Sequence, residues 1–222
     1  RILSGRTGTG KTRVLHRLPN PVDLEGQANH RGSSFGRKVT PQPSQIDFEN
    51  RLAVSMLKAH HKFSGPMVLE DESRLIGRCS LPETLREKMA GAPLMILERP
   101  MAERIDIIRA DYVEDMLADY VARDGSEAGW LNFRDYLLSA LDRIRKRLGG
   151  ERHQRLRRLM EQALEHQSVT GSTEAHNAWI EALLGDYYDP MYDYQLSQKQ
   201  GRIVVRGNPD DIIDYARTEH PS

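Results

Sequence analysis

Cysteine is nearly absent: Cys79 is the single one in 222 residues. That excludes an internal disulfide and any cysteine-rich zinc site. Eight histidines are present but scattered, and none falls in a metal-ligand pattern such as H-E-x-x-H. The residues therefore offer no protein cage for a metal and no haem, flavin or zinc site. No stretch approaches the ~20 apolar residues that a membrane span needs. No signal peptide is visible, so the expected setting is cytoplasmic, without a membrane partner. An excess of charge is lacking too, since 32 Lys and Arg balance 32 Asp and Glu. Any polyanion must then be met by a local basic patch instead of a global field. The chain also lacks an initiating methionine, and its first motif begins within a few residues of Arg1. The reading is a piece of a longer protein with something missing upstream.

What is present is an alternation of short apolar runs and amphipathic stretches. Ile2-Leu3 leads into a glycine-rich turn, and residues 12–18 read as a helix stopped by Pro19 and Pro21. Residues 22–24 read as a second strand, and 26–45 as a loop. The next helix opens at Ser44 or Gln45 and presents Ile46, Leu52, Ala53, Met56 and Leu57 on one face. Residues 67–69 and 94–97 read as further strands, with a helix over 81–89 between them. After Arg99 the pattern turns almost wholly helical. Apolar stripes run along 105–120, 137–148, 156–163 and 175–183, and packing is the plain reading of each. Residues 202–206 read as a last strand, followed by a short helix. The expected class is α/β: a P-loop NTPase-like parallel sheet flanked by helices, with an added mainly helical lobe. The expected domains are a P-loop core over 1–99, a basic helical lobe over 100–200, and a terminal strand and helix over 201–222 that return to the core.

The sharpest motif is Gly5-Arg6-Thr7-Gly8-Thr9-Gly10-Lys11-Thr12, which matches G-x-x-x-x-G-K-[ST] in full. Glycines let the backbone curl so that several N–H groups converge on one oxyanion. Lys11 supplies a point charge to an outer phosphate, and the hydroxyl at the Thr12 position commonly holds Mg²⁺. A strand ending in a carboxylate completes the metal site of nucleotide-hydrolysing relatives of this loop. Glu70 and Asp71, followed by Glu72, stand at the end of the third strand. Asp23 joins them as a candidate catalytic or metal-orienting residue. Their rival reading is a solvated strand end, with Ser73 capping a helix. Asp23, Glu25, Glu98 and Arg99 would share the sheet's carboxyl edge, where open α/β sheets bind ligands.

These motifs run in an order that resembles tRNA 2-selenouridine synthase. They are G-R-T-G-T-G-K-T, D-L-E-G-Q-A-N-H-R-G-S-S-F-G over 23–36, L-E-D-E-S-R-L-I-G over 69–77, E-R-P over 98–100, and Y-Y-D-P-M-Y-D-Y-Q over 187–195. The 23–36 segment is the most specific, because a P-loop alone singles out no family. The resemblance implies a transferase that modifies the wobble uridine of certain tRNAs in two stages. Geranyl diphosphate first alkylates 2-thiouridine on sulfur; selenium from selenophosphate then replaces the geranylthio group. It also implies an N-terminal rhodanese-like domain carrying a catalytic cysteine, which this chain lacks. Cys79 lies outside the motifs and reads as a packing residue. The cradle is then expected to hold a diphosphate or selenophosphate, with Lys11, the loop amides and Arg6 stabilising the departing charge.

Three further clusters suit such a substrate. Arg143, Arg145, Lys146, Arg147, Arg152, Arg155, Arg157 and Arg158 form a basic run interrupted by Gly149-Gly150. Of these, Arg143, Lys146, Arg147, Arg152, Arg155 and Arg158 are the candidates for tRNA phosphates, against the plain reading of a solvated helical face. His30, Arg31, Ser33, Ser34, Phe35 and Arg37 form a candidate substrate loop that clamps a phosphate or stacks a base on Phe35. Tyr187, Tyr188, Met191, Tyr192 and Tyr194 form an aromatic cluster, read first as packing and second as a prenyl or base groove. Two rival functions stay open: a small-molecule or nucleoside kinase, and a non-catalytic tRNA-docking module.

Overall fold

A computed structural model describes residues 1–62 and 65–218. The chain forms two compact units. One joins Arg1–Arg99 with Tyr194–Ser222; the other is Pro100–Asp193. The second boundary thus falls at Asp193/Tyr194, not after residue 200.

The first unit is built on five parallel strands: β1 (Ile2–Gly5), β2 (Pro21–Val22), β3 (Val68–Glu70), β6 (Leu94–Leu97) and β7 (Ile203–Gly207), in the order β2-β3-β1-β6-β7. A separate antiparallel hairpin pairs β4 (Leu75–Ile76) with β5 (Cys79–Ser80). β1 and β6 are buried along their full length, as central parallel strands covered on both faces must be. Leu3, Val68, Met95 and Leu97 face Val14, Leu15 and Leu18 from the α1 region (Lys11–Leu15). Ile212, Ile213 and Ala216 of α12 (Pro209–Thr218) complete that core. Each such side chain contributes roughly 1.5–3 kcal/mol by leaving water.

Several boundaries differ from the sequence expectation. The helix after the P-loop ends at Leu15, because Arg17 and Leu18 turn back in tight three-residue hydrogen bonds to Val14 and Leu15 ahead of Pro19. The second strand stops at Val22, since Asp23 caps α2 (Leu24–Ala28) by accepting from the Gly26 N–H at 2.6 Å. Helix α3 (Gln45–Lys62) buries Phe48, Leu52 and Ala59, while Ile46 (70 % exposed) and Leu57 (58 %) face outward. Of the expected stripe, Leu52 is buried and Met56 half-buried, while Ile46, Ala53 and Leu57 are exposed, because α3 carries apolar residues on two faces. No helix begins at Ser73; its hydroxyl donates to the Leu75 carbonyl at the start of the hairpin. Helix α4 (Glu83–Gly91) starts after Pro82 and leads to β6.

The second unit is helical: α5 (Met101–Arg109), α6 (Asp115–Asp124), α7 (Ser126–Arg143), α8 (Arg145–Leu148), α9 (Gly150–Thr170) and α10 (Asn177–Leu183). Helix α11 (Asp189–Ser197) follows. Two π-helical turns, Ala110–Glu114 and Leu184–Tyr188, interrupt it. The first shifts the expected 105–120 stripe: Val113 is fully buried while Tyr112 is only partly so. No helix among the described residues is long and apolar enough to cross a membrane.

Candidate functional site: a phosphate cradle walled by carboxylates

The loop after β1 has the shape its residues demand. Gly8 (φ 84°) and Gly10 (φ 73°) sit in the left-handed region that a Cβ disfavours. Gly5 passes so close to β6 that a Cβ would lie 2.6 Å from the Leu97 carbonyl oxygen. Thr9 is buried, and its hydroxyl donates to the Arg6 carbonyl at 2.9 Å. Lys11 folds back so that Nζ donates to the Gly5 carbonyl at 3.0 Å, closing the loop on itself. Arg99, at the end of β6, donates through Nε to the Thr9 carbonyl at 2.9 Å and braces the loop from the next strand. The following helix has only five residues, so the cradle rests on loop amides and Lys11 more than on a helix dipole.

The end of β3 separates the candidates that the sequence left together. Glu70 accepts from the Thr12 hydroxyl at 2.9 Å and from the Glu25 N–H at 3.1 Å. Asp71 points elsewhere. It accepts from the Ser4 hydroxyl at 2.6 Å, and both its oxygens lie 2.9 Å from Lys199 Nζ. Asp23 is occupied as the cap of α2 and as the partner of His16 at 2.9 Å. Glu70 is thus the one of the three that meets the cradle's hydroxyl.

Glu25 and Glu72, which the sequence placed at the sheet's carboxyl edge without a role, complete the site. Thr12 Oγ1 lies 3.4 Å from Glu25 Oε2, and Glu72 hydrogen-bonds Glu25. Burial first, then the charge of Glu72, pushes Glu25 up to about 8. Burial, with Glu25 and Asp23, pushes Glu70 up to about 7. Burial raises Glu72 to about 7 despite the opposing pull of Lys11. A hydrogen bond between two carboxyl groups needs one proton, and Glu25 and Glu72 share it. The sequence did hold a signal for Glu25, which lies two residues beyond an N-cap aspartate at a strand's carboxyl end.

The 29–45 segment reaches this wall at Gly32, where a Cβ would lie 2.7 Å from Glu25 Oε1 and 2.8 Å from Glu72 Oε2. The candidate loop is internally tied: Arg31 N–H donates to the Gly36 carbonyl at 2.8 Å, and His30 bridges Arg37. Ser33 Oγ accepts from the Phe35 N–H at 3.2 Å, and Ser34 is partly buried. Phe35 itself is only 4 % exposed. Its ring packs inward, which corrects the expectation that it stacks a base. Gln42, unnoticed in the sequence, staples the segment by donating to the Ala28 and Ile76 carbonyls, each at 2.9 Å.

In the helical unit the basic run divides. Arg155 pairs with Asp186 at 3.2 Å, and Arg157 with Asp142 and Glu161, each at 3.0 Å. Arg143, Arg145, Lys146, Arg152 and Arg158 are exposed. Arg147 reaches the Tyr187 hydroxyl at 3.5 Å. The aromatic cluster likewise splits, with Tyr188 buried and Met191 and Tyr194 exposed.

Comparison with known proteins fits this arrangement. The family model described as the tRNA 2-selenouridine synthase AAA domain matches residues 1–222. A tRNA 2-selenouridine synthase of Marinobacter nauticus is 76 % identical over 218 residues, covering 98 % of this chain and 59 % of that protein. One of Pseudomonas syringae pv. tomato is 52 % identical over 214 residues, covering 96 % and 58 %. One of Pseudomonas aeruginosa is 51 % identical over 216 residues, covering 97 % and 58 %. The chain thus spans somewhat under three fifths of the length of these relatives. No solved structure matches it. With the family model matched from end to end, the chain belongs to the tRNA 2-selenouridine synthase family, over the part described as its AAA domain.

Proposed function

We propose that this chain is the phosphate-gripping part of a cytoplasmic tRNA-modifying transferase that converts wobble 2-thiouridine to 2-selenouridine through an S-geranyl intermediate. The observation that carries the reading is the closed cradle of residues 5–12, with Lys11 and the loop amides gathered at the sheet's carboxyl edge. Such a cradle recognises phosphate oxygens and serves a leaving diphosphate as well as a nucleotide. In the first step the thiouridine sulfur forms a bond to C1 of geranyl diphosphate. The C1–O bond breaks, its electron pair leaves on diphosphate, and the uridine N3 proton is lost. Lys11 and the amides stabilise the charge on the departing group. In the second step selenium of selenophosphate bonds to C2 of the base, geranylthiol leaves, N3 regains a proton, and water cleaves the selenium–phosphorus bond to release phosphate. That step draws on a rhodanese domain outside this chain.

Thr12 and Glu70 present paired oxygens at 2.9 Å, the donor chemistry a hard cation prefers. No group of three or more His, Cys, Asp or Glu suited to holding a metal occurs among the described residues. A Mg²⁺ here would be held by Thr12 and the ligand's phosphate oxygens, with Glu70 orienting its waters, and would supply charge neutralisation. The same Thr12–Glu70 pair favours a second reading, an ATP-dependent kinase, because nucleotide-hydrolysing P-loop proteins place a carboxylate there.

Calorimetric titration with geranyl diphosphate, selenophosphate and ATP separates the two readings. Geranyl diphosphate is expected to bind, and Lys11→Ala to weaken it roughly 10- to 100-fold. Incubation with 2-thiouridine tRNA is expected to yield the S-geranyl nucleoside by mass; selenouridine is expected only when a rhodanese domain is added. Tight ATP binding with turnover and no diphosphate binding would overturn the transferase reading.

A further inference from the structure

Forty residues separate Arg147 from Tyr187 in sequence, yet the helical unit brings them together. The π-helical turn Leu184–Tyr188 gives its two tyrosines different tasks. Tyr188 is 7 % exposed and packs inward, while Tyr187 is only half-buried. The rings meet edge to face, with centroids 4.9 Å apart and planes at 68°, so the buried tyrosine fixes the outer one. Two basic helices grip the same turn. Arg147 of α8 donates to the Tyr187 hydroxyl at 3.5 Å, and Arg155 of α9 pairs with Asp186 at 3.2 Å. That second pair neutralises Asp186, the neighbour of Tyr187 in the chain. Arg145, Lys146 and Arg152 stand exposed on the same two helices.

We propose that Tyr187 and Arg147 form a subsite for one unstacked base of a single-stranded RNA loop, with Arg145, Lys146 and Arg152 receiving the flanking phosphates. The inference rests on the tRNA reading above and deepens it. A ring held rigid at its edge, with a guanidinium at its rim and cations beside it, offers a stacking platform and an electrostatic track together. Duplex RNA conceals its base faces, so such a platform selects a loop over a stem.

The test is fluorescence anisotropy of the 222-residue chain with two labelled RNAs at one stated salt concentration: an anticodon stem-loop and a blunt duplex of equal charge. Tyr187→Ala is expected to weaken the stem-loop roughly tenfold and the duplex little. Tyr187→Phe keeps the ring and is expected to bind within about twofold of the parent. Arg147→Ala, at an exposed position, is expected to lower stem-loop preference and covers the case in which Tyr187→Ala fails to fold. Equal stem-loop affinity in the parent, Tyr187→Ala and Arg147→Ala chains overturns the subsite and leaves the tRNA reading standing. Equal losses for both RNAs also overturn it, marking Tyr187 as structural. A parent chain that binds neither RNA overturns both.

Discussion

Glu25 illustrates how one side chain's surroundings set the chemistry of a site. It sits on the first turn of a five-residue helix, against two other glutamates, with Lys11 as the nearby cation. Holding three carboxyls there keeps their protons on to pH values far above those of free glutamate. The folded state therefore binds more protons than the unfolded one between the ordinary value of 4.5 and the folded values of about 7 to 8. Stability from these groups is full below the lower value and is lost as pH rises through the upper ones. His176, lowered to about 4 by burial, acts in the opposite sense, but only below its ordinary 6.5. Between about pH 6.5 and 8 the three carboxyls outnumber the N-terminal amine of Arg1, which burial lowers from 8.0 and which acts in the opposite sense, so the melting midpoint should fall. Glu25→Gln should flatten that fall, measured by thermal melts across the window without phosphate ligand; an unchanged slope would exclude Glu25 as its source. Cys79 shows the reverse case. It is buried beside Gln42 and Pro43, burial raises its thiol, and it behaves as an inert packing residue.

Among the elements, α5 and α11 are joined by a deeply buried ion pair. Arg104 is 2 % exposed and makes a two-pronged pair with Asp189, at 2.6 and 2.9 Å. Removing one partner leaves the other charge buried and uncompensated, so Arg104→Ala should cost about 3–5 kcal/mol in urea unfolding. Replacing both by apolar residues should restore much of that loss; a double variant as unstable as the single would show that backbone packing, not charge, is responsible. Nearby, Trp179 donates to His176 Nδ1 at 2.8 Å, and His176 meets Gln167 at 2.9 Å through Nε2. The chain of donors holds the imidazole neutral and fixes its tautomer.

At the scale of the whole molecule, zero net charge means that the proposed RNA binding rests on local cations left outside ion pairs. Lys146 and Arg152 are exposed, whereas Arg157 is committed to Asp142 and Glu161. Lys146→Ala and Arg152→Ala should each reduce the salt slope of tRNA binding by about 1. Arg157→Ala should leave it nearly unchanged. Slopes measured by titration at several salt concentrations check this, and equal effects at all three positions would contradict it.

Local patterns were legible without coordinates. The P-loop, the apolar runs of β1 and β6, and the α/β alternation follow from spacing and residue type, because glycine conformation and strand burial are imposed by near neighbours. What the sequence could not separate were side chains adjacent in the chain but opposite in space. Glu70 ends β3 and Asp71 is the first residue beyond it, and the two side chains meet different partners, Thr12 and Ser4. The two faces of α3 look alike until one is covered. Glu25, Glu70 and Glu72 become one wall, and Arg147 meets Tyr187, only when distant segments pack, since burial and charge proximity are properties of the folded chain.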